Sequence, residues 1–303
     1  MKVKCSSFNQ RALAIASPFL AILVALTCLG LSGGVVMAQK SKAPEKEFED
    51  FDRNNFDRST SIDNKWLPLK PGTQYVYKGY TQAGKRRVPH RVVFTVTDLT
   101  KVIDGVRTVV VWDQDYRGGK LMESELVFFA QDDDGNVWHF GQYRETYDEA
   151  EFVGGRAWLG GIEGARAGTM MKAEPRLGTP SYSQGYAPPP FNWTDRAEVD
   201  QMGQKTCVPL GCYEDVLVTA ESSKEEGPDA QQLKYYARGV GTVRVSWRGK
   251  GEKTRETLEL VAVVQLGPEA LAKARAEALE LEKRAYIYGR TPPAEHMPGA
   301  KGQ

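Results

Sequence analysis

The sequence predicts a mainly β protein: an antiparallel meander forming a curved sheet or partial barrel, with one C-terminal helix. Three observations predict it. Short runs rich in valine, tyrosine and phenylalanine recur between Gln74 and Leu266, separated by Gly, Asp and Lys clusters at hairpin distances. The Asp134-Gly135 pair sits between two such runs, and Asp-Gly is a preferred tight-turn dipeptide. Beyond Gly267 the apolar spacing changes to three and four residues, the period of a helix.

The chain divides as follows. Lys2, Lys4 and Arg11 precede an apolar stretch from Ala12 to about Leu31, and Val36-Met37-Ala38 offers a small-residue cleavage pattern. Residues 1–38 are therefore expected to be a signal peptide. The glycine-rich end of the stretch favours cleavage over an uncut anchor, although the run approaches the roughly 20 residues that span a bilayer. Lipid attachment at Cys28 is the weaker alternative, since Ala25-Leu26-Thr27 fits such a signal poorly. Residues 39–60, polar and charged, read as a flexible linker or loosely docked arm.

The β domain is expected over 61–266. Its runs are Gln74 to Thr81, Val92 to Thr97, Thr108 to Trp112, Glu123 to Gln131, Asn136 to Tyr147, Tyr213 to Thr219, Leu233 to Ala237, Thr242 to Trp247 and Thr257 to Leu266. A glycine- and proline-rich excursion from Gly154 to Pro190 interrupts them and reads as a lid, a binding loop or a surface wrap. Residues 267–289 form the helix, opened by Pro268, with a stripe of Leu271, Ala274, Ala278, Leu281 and Ala285. Residues 290–303 are expected to be a disordered tail.

Loss of the signal removes three basic residues, so the formal charge of +1 becomes −2. A nearly neutral chain with interspersed charges has no field to attract nucleic acid, and no membrane span is expected after cleavage. Two cysteines remain in the mature chain, Cys207 and Cys212, and an even pair in an exported protein reads as a disulfide. The expected location is secreted or periplasmic.

No sequence motif names a chemistry. Three histidines, His90, His139 and His296, lack a nucleophile elbow or a helical metal-ligand spacing, and no cofactor or metal is expected. Asp132, Asp133 and Asp134 form an acidic cluster better explained as a turn than as a calcium loop. The sharpest expectation comes from counting outward from a two-residue Asp134-Gly135 turn. Phe129 then faces Phe140, Gln131 faces Trp138, Val127 faces Gln142, and Glu125 faces Arg144. In that register Glu125, Phe129, Gln131, Trp138, Phe140 and Arg144 share one face. Turned inward on a curved sheet, they would make an apolar pocket with a few polar groups, suited to an apolar small molecule or lipid.

The blocks Asn64 to Thr73, Ala130 to Gly141 and Lys234 to Gly241 resemble those of an uncharacterised family of secreted bacterial proteins. The resemblance implies export and a shared β fold without an assigned activity. The long meander also resembles lipocalins and the half-barrel lipid and lipoprotein carriers of the bacterial envelope, by architecture alone. The first functional expectation is thus a non-enzymatic module binding an apolar or amphipathic ligand. An envelope structural or interaction protein, using the glycine-rich excursion and the helix, is one alternative. A hydrolase using carboxylates such as Glu125 with Asp132 is the other.

Overall fold

The structure is a computed structural model that describes residues 44–84, 86–253 and 255–297. The expected signal peptide lies outside the described residues. Strands β1 (Thr73–Ala83), β2 (Arg86–Ile103), β3 (Val106–Arg117), β4 (Lys120–Gln131), β5 (Val137–Asp148) and β6 (Glu151–Leu159) form a meander. Short strands β7 (Gly168–Met171) and β8 (Tyr182–Ser183) follow, and a second meander runs through β9 (Arg196–Val208), β10 (Gly211–Ser222), β11 (Gln231–Ala237), β12 (Gly241–Arg248) and β13 (Glu256–Gln265). Helix α1 (Pro268–Arg284), a 3-10 turn (Tyr286–Arg290) and β14 (Glu295–His296) complete the chain. The strands make one antiparallel sheet, in the order β6-β5-β4-β3-β2-β1-β13-β12-β11-β10-β9-β8, with β7 on β5 and β14 on β2.

Turn chemistry sets the first meander. Asp104-Gly105, Gly118-Gly119 and Glu149-Ala150 all have positive φ, the two-residue geometry that matches strand twist. The β4–β5 turn differs from the expected Asp134-Gly135 pair. Asp132 pairs with Asn136 (N to O 2.9 Å) around a loop of Asp133, Asp134 and Gly135, of which Gly135 alone has positive φ. The acidic side chains hold this longer loop. Asp132 accepts from Asn136 N at 2.7 Å and from Trp138 Nε1 at 2.7 Å, Asp133 from Asp57 N at 3.1 Å, and Asp134 from Asn55 Nδ2 at 2.9 Å.

The longer loop moves the register by one residue near the turn, so Gln131 faces Val137 and Phe129 faces His139. A bulge with Phe140 unpaired restores it, and Phe128 to Gly141, Val127 to Gln142 and Glu125 to Arg144 follow. The expected Phe129–Phe140 and Gln131–Trp138 pairs are therefore corrected, because a bulge places Phe140 on the face opposite Phe129.

The two faces carry separate cores. One face holds Tyr75, Tyr77, Val96, Val109, Val111, Phe129, Leu217, Tyr236 and Leu258, with Trp66, Leu67 and Leu69 packed among them. The other holds Leu126, Phe128, Trp138, Phe140 and Tyr143 beneath Ala278, Leu281 and Ala285 of the helix stripe. Polar links seat the helix: Arg284 donates to Glu145 at 2.7 and 2.9 Å, and Arg275 to Asp98 at 2.8 Å. Buried Lys101 donates to Glu282 and to the Pro292 carbonyl, each at 2.7 Å.

Three expectations about order change. The 39–60 segment is docked where it is described: Arg196 donates to the carbonyls of Glu47 and Lys46 at 2.9 Å, while Phe51 and Phe56 pack edge-on against Trp138 and Phe140. Aromatic burial outweighs its polar composition, worth roughly 1–2 kcal/mol per ring. The tail is ordered as far as Met297, since β14 pairs Glu295 with Thr100 and His296 with Leu99, and Met297 N donates to Asp98 O at 2.8 Å. The glycine-rich excursion starts within β6, whose Gly154 and Gly155 pair with Thr146 and Glu145 of β5. Cys207 and Cys212 form the expected disulfide at facing positions of the β9–β10 hairpin.

The sheet stays open but its two ends meet. β7 on the β5 side lies against the β8 segment, and Arg166 and Tyr186 exchange backbone hydrogen bonds at 2.8 and 2.9 Å. Gly168 sits at the contact, where a Cβ would lie 2.1 Å from Gly185 N and 2.5 Å from Ser183 O. Residues 45–64 strap the same seam, running from Arg196 at the start of β9 to the β4–β5 loop, where Ser59 O accepts from Gln131 N at 2.8 Å. Gly168→Ala should therefore force backbone apart and cost about 3 kcal/mol in denaturant unfolding. Gly154→Ala, which meets nothing within 4 Å, should stay within about 0.5 kcal/mol of the parent. Equal stabilities for the two variants would contradict the closed seam.

Candidate functional site

Residues from β1 to β5 and from β11 to β13 line a single cavity of about 390 Å³, so the face they share is the concave one. Antiparallel pairing explains how they converge, because residues directly opposite on adjacent strands point the same way. One wall is apolar: Leu67, Leu69, Tyr75, Tyr77, Val92, Phe94, Phe129, Val245 and Leu258. Its tyrosines spend their hydroxyls on backbone, Tyr75 on Pro68 O at 3.2 Å and Tyr77 on Thr242 O at 3.0 Å.

The other end is charged and follows two rows across the sheet. Phe94, Asp113, Glu125, Arg144 and Arg156 pair successively from β2 to β6. Val92, Asp115, Glu123 and Thr146 make the adjacent row. Asp113 thus lies directly opposite Glu125, and Asp115 opposite Glu123, an arrangement of like charges that destabilises a sheet unless something intervenes. Arg144 answers in part, with its guanidinium 3.4 Å from Glu125 and 3.5 Å from Glu123. Burial raises the Glu125 carboxyl above its ordinary value, and Arg144 pulls it back only partly. Burial, then Glu125 and Asp115, push Asp113 well above the carboxylate range. Buried atoms without a hydrogen-bond partner gather here: Asp113 Oδ1, Asp115 Oδ1, Glu125 Oε1, Arg117 Nε and Arg144 Nε.

His90 ties together Asp115 and Glu256, two residues of this end. It is 2% exposed, with Nε2 at 2.7 Å from Asp115 and Nδ1 at 2.9 Å from Glu256. Burial opposes its charge, but hydrogen bonds and charges from Asp115 and Glu256 prevail and raise it to about 9. The three side chains are close enough to hold a metal ion, their ligand atoms lying within 4.8 Å of one another. In the structure the imidazolium fills the cation's place, with a carboxylate on each nitrogen. His139 behaves oppositely. Burial among Phe129, Trp158 and Trp193 lowers it to about 4 against the pull of the Gln184 and Gly141 carbonyls, so it is neutral.

Of the six residues expected to share a pocket, Glu125, Phe129 and Arg144 line the cavity. Gln131 instead ties the leading segment down, its Oε1 accepting from Asp63 N at 3.0 Å and Asn64 N at 2.8 Å. Trp138 and Phe140 lie in the outer core. Asp132, the suggested partner of Glu125 in hydrolysis, is bound to Asn136 and Trp138 and does not line the cavity. Asp113, Asp115, Glu123, Glu256 and His90 were not expected. A period-two signal marks part of the set: Asp113, Asp115 and Arg117 alternate in the continuation of β3 beyond Trp112.

Among the described residues no helix is long and apolar enough to cross a membrane. No protein-family model and no curated protein matches the chain. Among solved structures it is similar to a "putative exported protein with YmcC-like fold" from Bacteroides fragilis, at 13% identity and TM-score 0.39 over 66% of this chain and 99% of that one. It is also similar to a "putative lipoprotein" from Parabacteroides distasonis, at 12% identity and TM-score 0.36 over 67% of this chain and 100% of that one.

Because His90 is raised from 6.5 to about 9 by folding, its ion pairs contribute in full below pH 6.5 and are lost as the pH rises through about 9. The contribution is on the order of 3 kcal/mol. Urea unfolding of the parent should weaken by about that amount, relative to His90→Gln, between pH 6.5 and pH 9.5. Parallel pH profiles for the two proteins would show that His90 is not held as an imidazolium.

Proposed function

We propose that the protein is exported and acts outside the cytoplasm as a non-enzymatic module that binds a small amphipathic molecule in its concave face. The observation that carries this reading is the cavity itself: an apolar wall on β1, β2, β4, β12 and β13 faces a charged end with unpartnered buried atoms. A volume of about 390 Å³ falls within the roughly 300–1,000 Å³ of small-molecule sites. An apolar tail against Tyr77, Val92 and Leu258 would remove that surface from water at about 25 cal/mol per Å². A polar head would give the orphaned atoms the partners that they lack. Export is supported by the basic and apolar N-terminal pattern and by the Cys207–Cys212 disulfide, which persists in oxidising compartments.

The test is a fluorescence titration with the neutral apolar reporter N-phenyl-1-naphthylamine. Saturable one-to-one binding is expected. Val92→Trp, which places an indole in the cavity, should weaken binding by about tenfold or more. Non-saturating signal, or unchanged affinity in the variant, would remove the cavity as the binding site.

A further inference from the structure

We propose that the ligand's head is a cation, an alkyl chain ending in a protonated amine, seated between Asp113 and Glu125. The inference rests on the cavity being a ligand site and names the chemistry it selects.

Charge pairing at the polar end decides the sign. Each cation facing the cavity already has a carboxylate. Lys234 is 2.7 Å from Glu221, Arg144 is 3.4 Å from Glu125 and Arg117 is 3.6 Å from Asp115, while His90, which does not line the cavity, lies between Asp115 and Glu256. Asp113 is the carboxylate left over. Its buried Oδ1 has no partner, and no cation among the described residues forms an ion pair with it. Glu125, 8% exposed, stands opposite and lines the same cavity, and its buried Oε1 likewise has no hydrogen-bond partner.

An anionic head would meet two carboxylates, and the cations that line the cavity, Arg117, Arg144 and Lys234, each already lie beside a carboxylate. A hydroxyl would find acceptors but leave the repulsion between Asp113 and Glu125 in place. An ammonium donates three hydrogen bonds and turns that repulsion into two attractions. The apolar wall begins one residue away, since Phe94 pairs with Asp113, so a chain attached to the nitrogen has a surface to lie on.

The groups facing Asp113 are Glu125 and Glu123 from β4, Asp115 from its own strand, Arg144 from β5 and Tyr77 from β1, with Phe94 on β2. Burial and then Glu125 raise the Asp113 carboxyl above its ordinary value, a cost that an ammonium seated between the two carboxylates would relieve.

The experiment is displacement of the bound reporter by dodecylammonium, dodecanol and dodecanoate, three heads on one tail. Dodecylammonium should displace it at about tenfold lower concentration than either competitor. Asp113→Asn should reduce that preference to about twofold or less, whatever its absolute affinity for the reporter. The same isosteric change should raise the unfolding temperature, because it removes a like-charge pair; a purely structural aspartate would lower it. Equal displacement by the three heads, or a preference that survives in Asp113→Asn, overturns the cationic head and leaves the cavity as a binding site. Absence of reporter binding overturns both.

Discussion

The two ends of one antiparallel sheet meet at Gly168, and the cavity depends on that contact. Neighbouring antiparallel strands twist, and a long sheet coils until something stops it. Here the stop is backbone against backbone, with Gly168 against Gly185 and Ser183 at distances no Cβ could share. The strap of residues 45–64 crosses the same seam and fastens the β9 side to the β4–β5 loop. Curvature then brings β5 and β11 to one space, so that Arg144 and Lys234 line one cavity although many strands lie between them.

The two faces divide stability from chemistry. On the outer face Phe128, Phe140 and Leu126 pack under the helix and under Phe51 and Phe56, and ion pairs tie the helix down: Arg284 on Glu145, Arg275 on Asp98, Lys101 on Glu282. The inner face keeps Asp113 opposite Glu125 and leaves polar atoms buried without partners. Each such atom costs about 1–3 kcal/mol. A sheet with a well-packed outer layer can bear that cost, and sites built for ligands are where such costs concentrate.

Sequence reasoning reached the fold class because strand alternation and turn residues are local signals. It reached the Glu125–Arg144 pair for a less direct reason. The turn holds three residues where two were expected, and the Phe140 bulge cancels the offset, so counting is right beyond the bulge and off by one inside it. Nothing local announces a bulge at Phe140, whose ring is drawn outward by Phe51 and Phe56 from far along the chain. Polar composition hid the docked strap for the same reason. Glycine's low strand propensity hid β6, which is held by its pairing with β5. Asp113 and Asp115 were legible as alternating positions, but charged residues turned toward an interior contradict the usual pattern, and that contradiction is where function tends to lie.

An Asp113 carboxyl without an ion-pair partner, facing Glu125 in the concave cavity, is the centre of this account. Carbon NMR titration of the Asp113 side chain in the intact protein measures it directly. The account predicts a midpoint well above the ordinary 3.8, falling when dodecylammonium saturates the cavity. A midpoint at or below 3.8, unmoved by the amine, would contradict it.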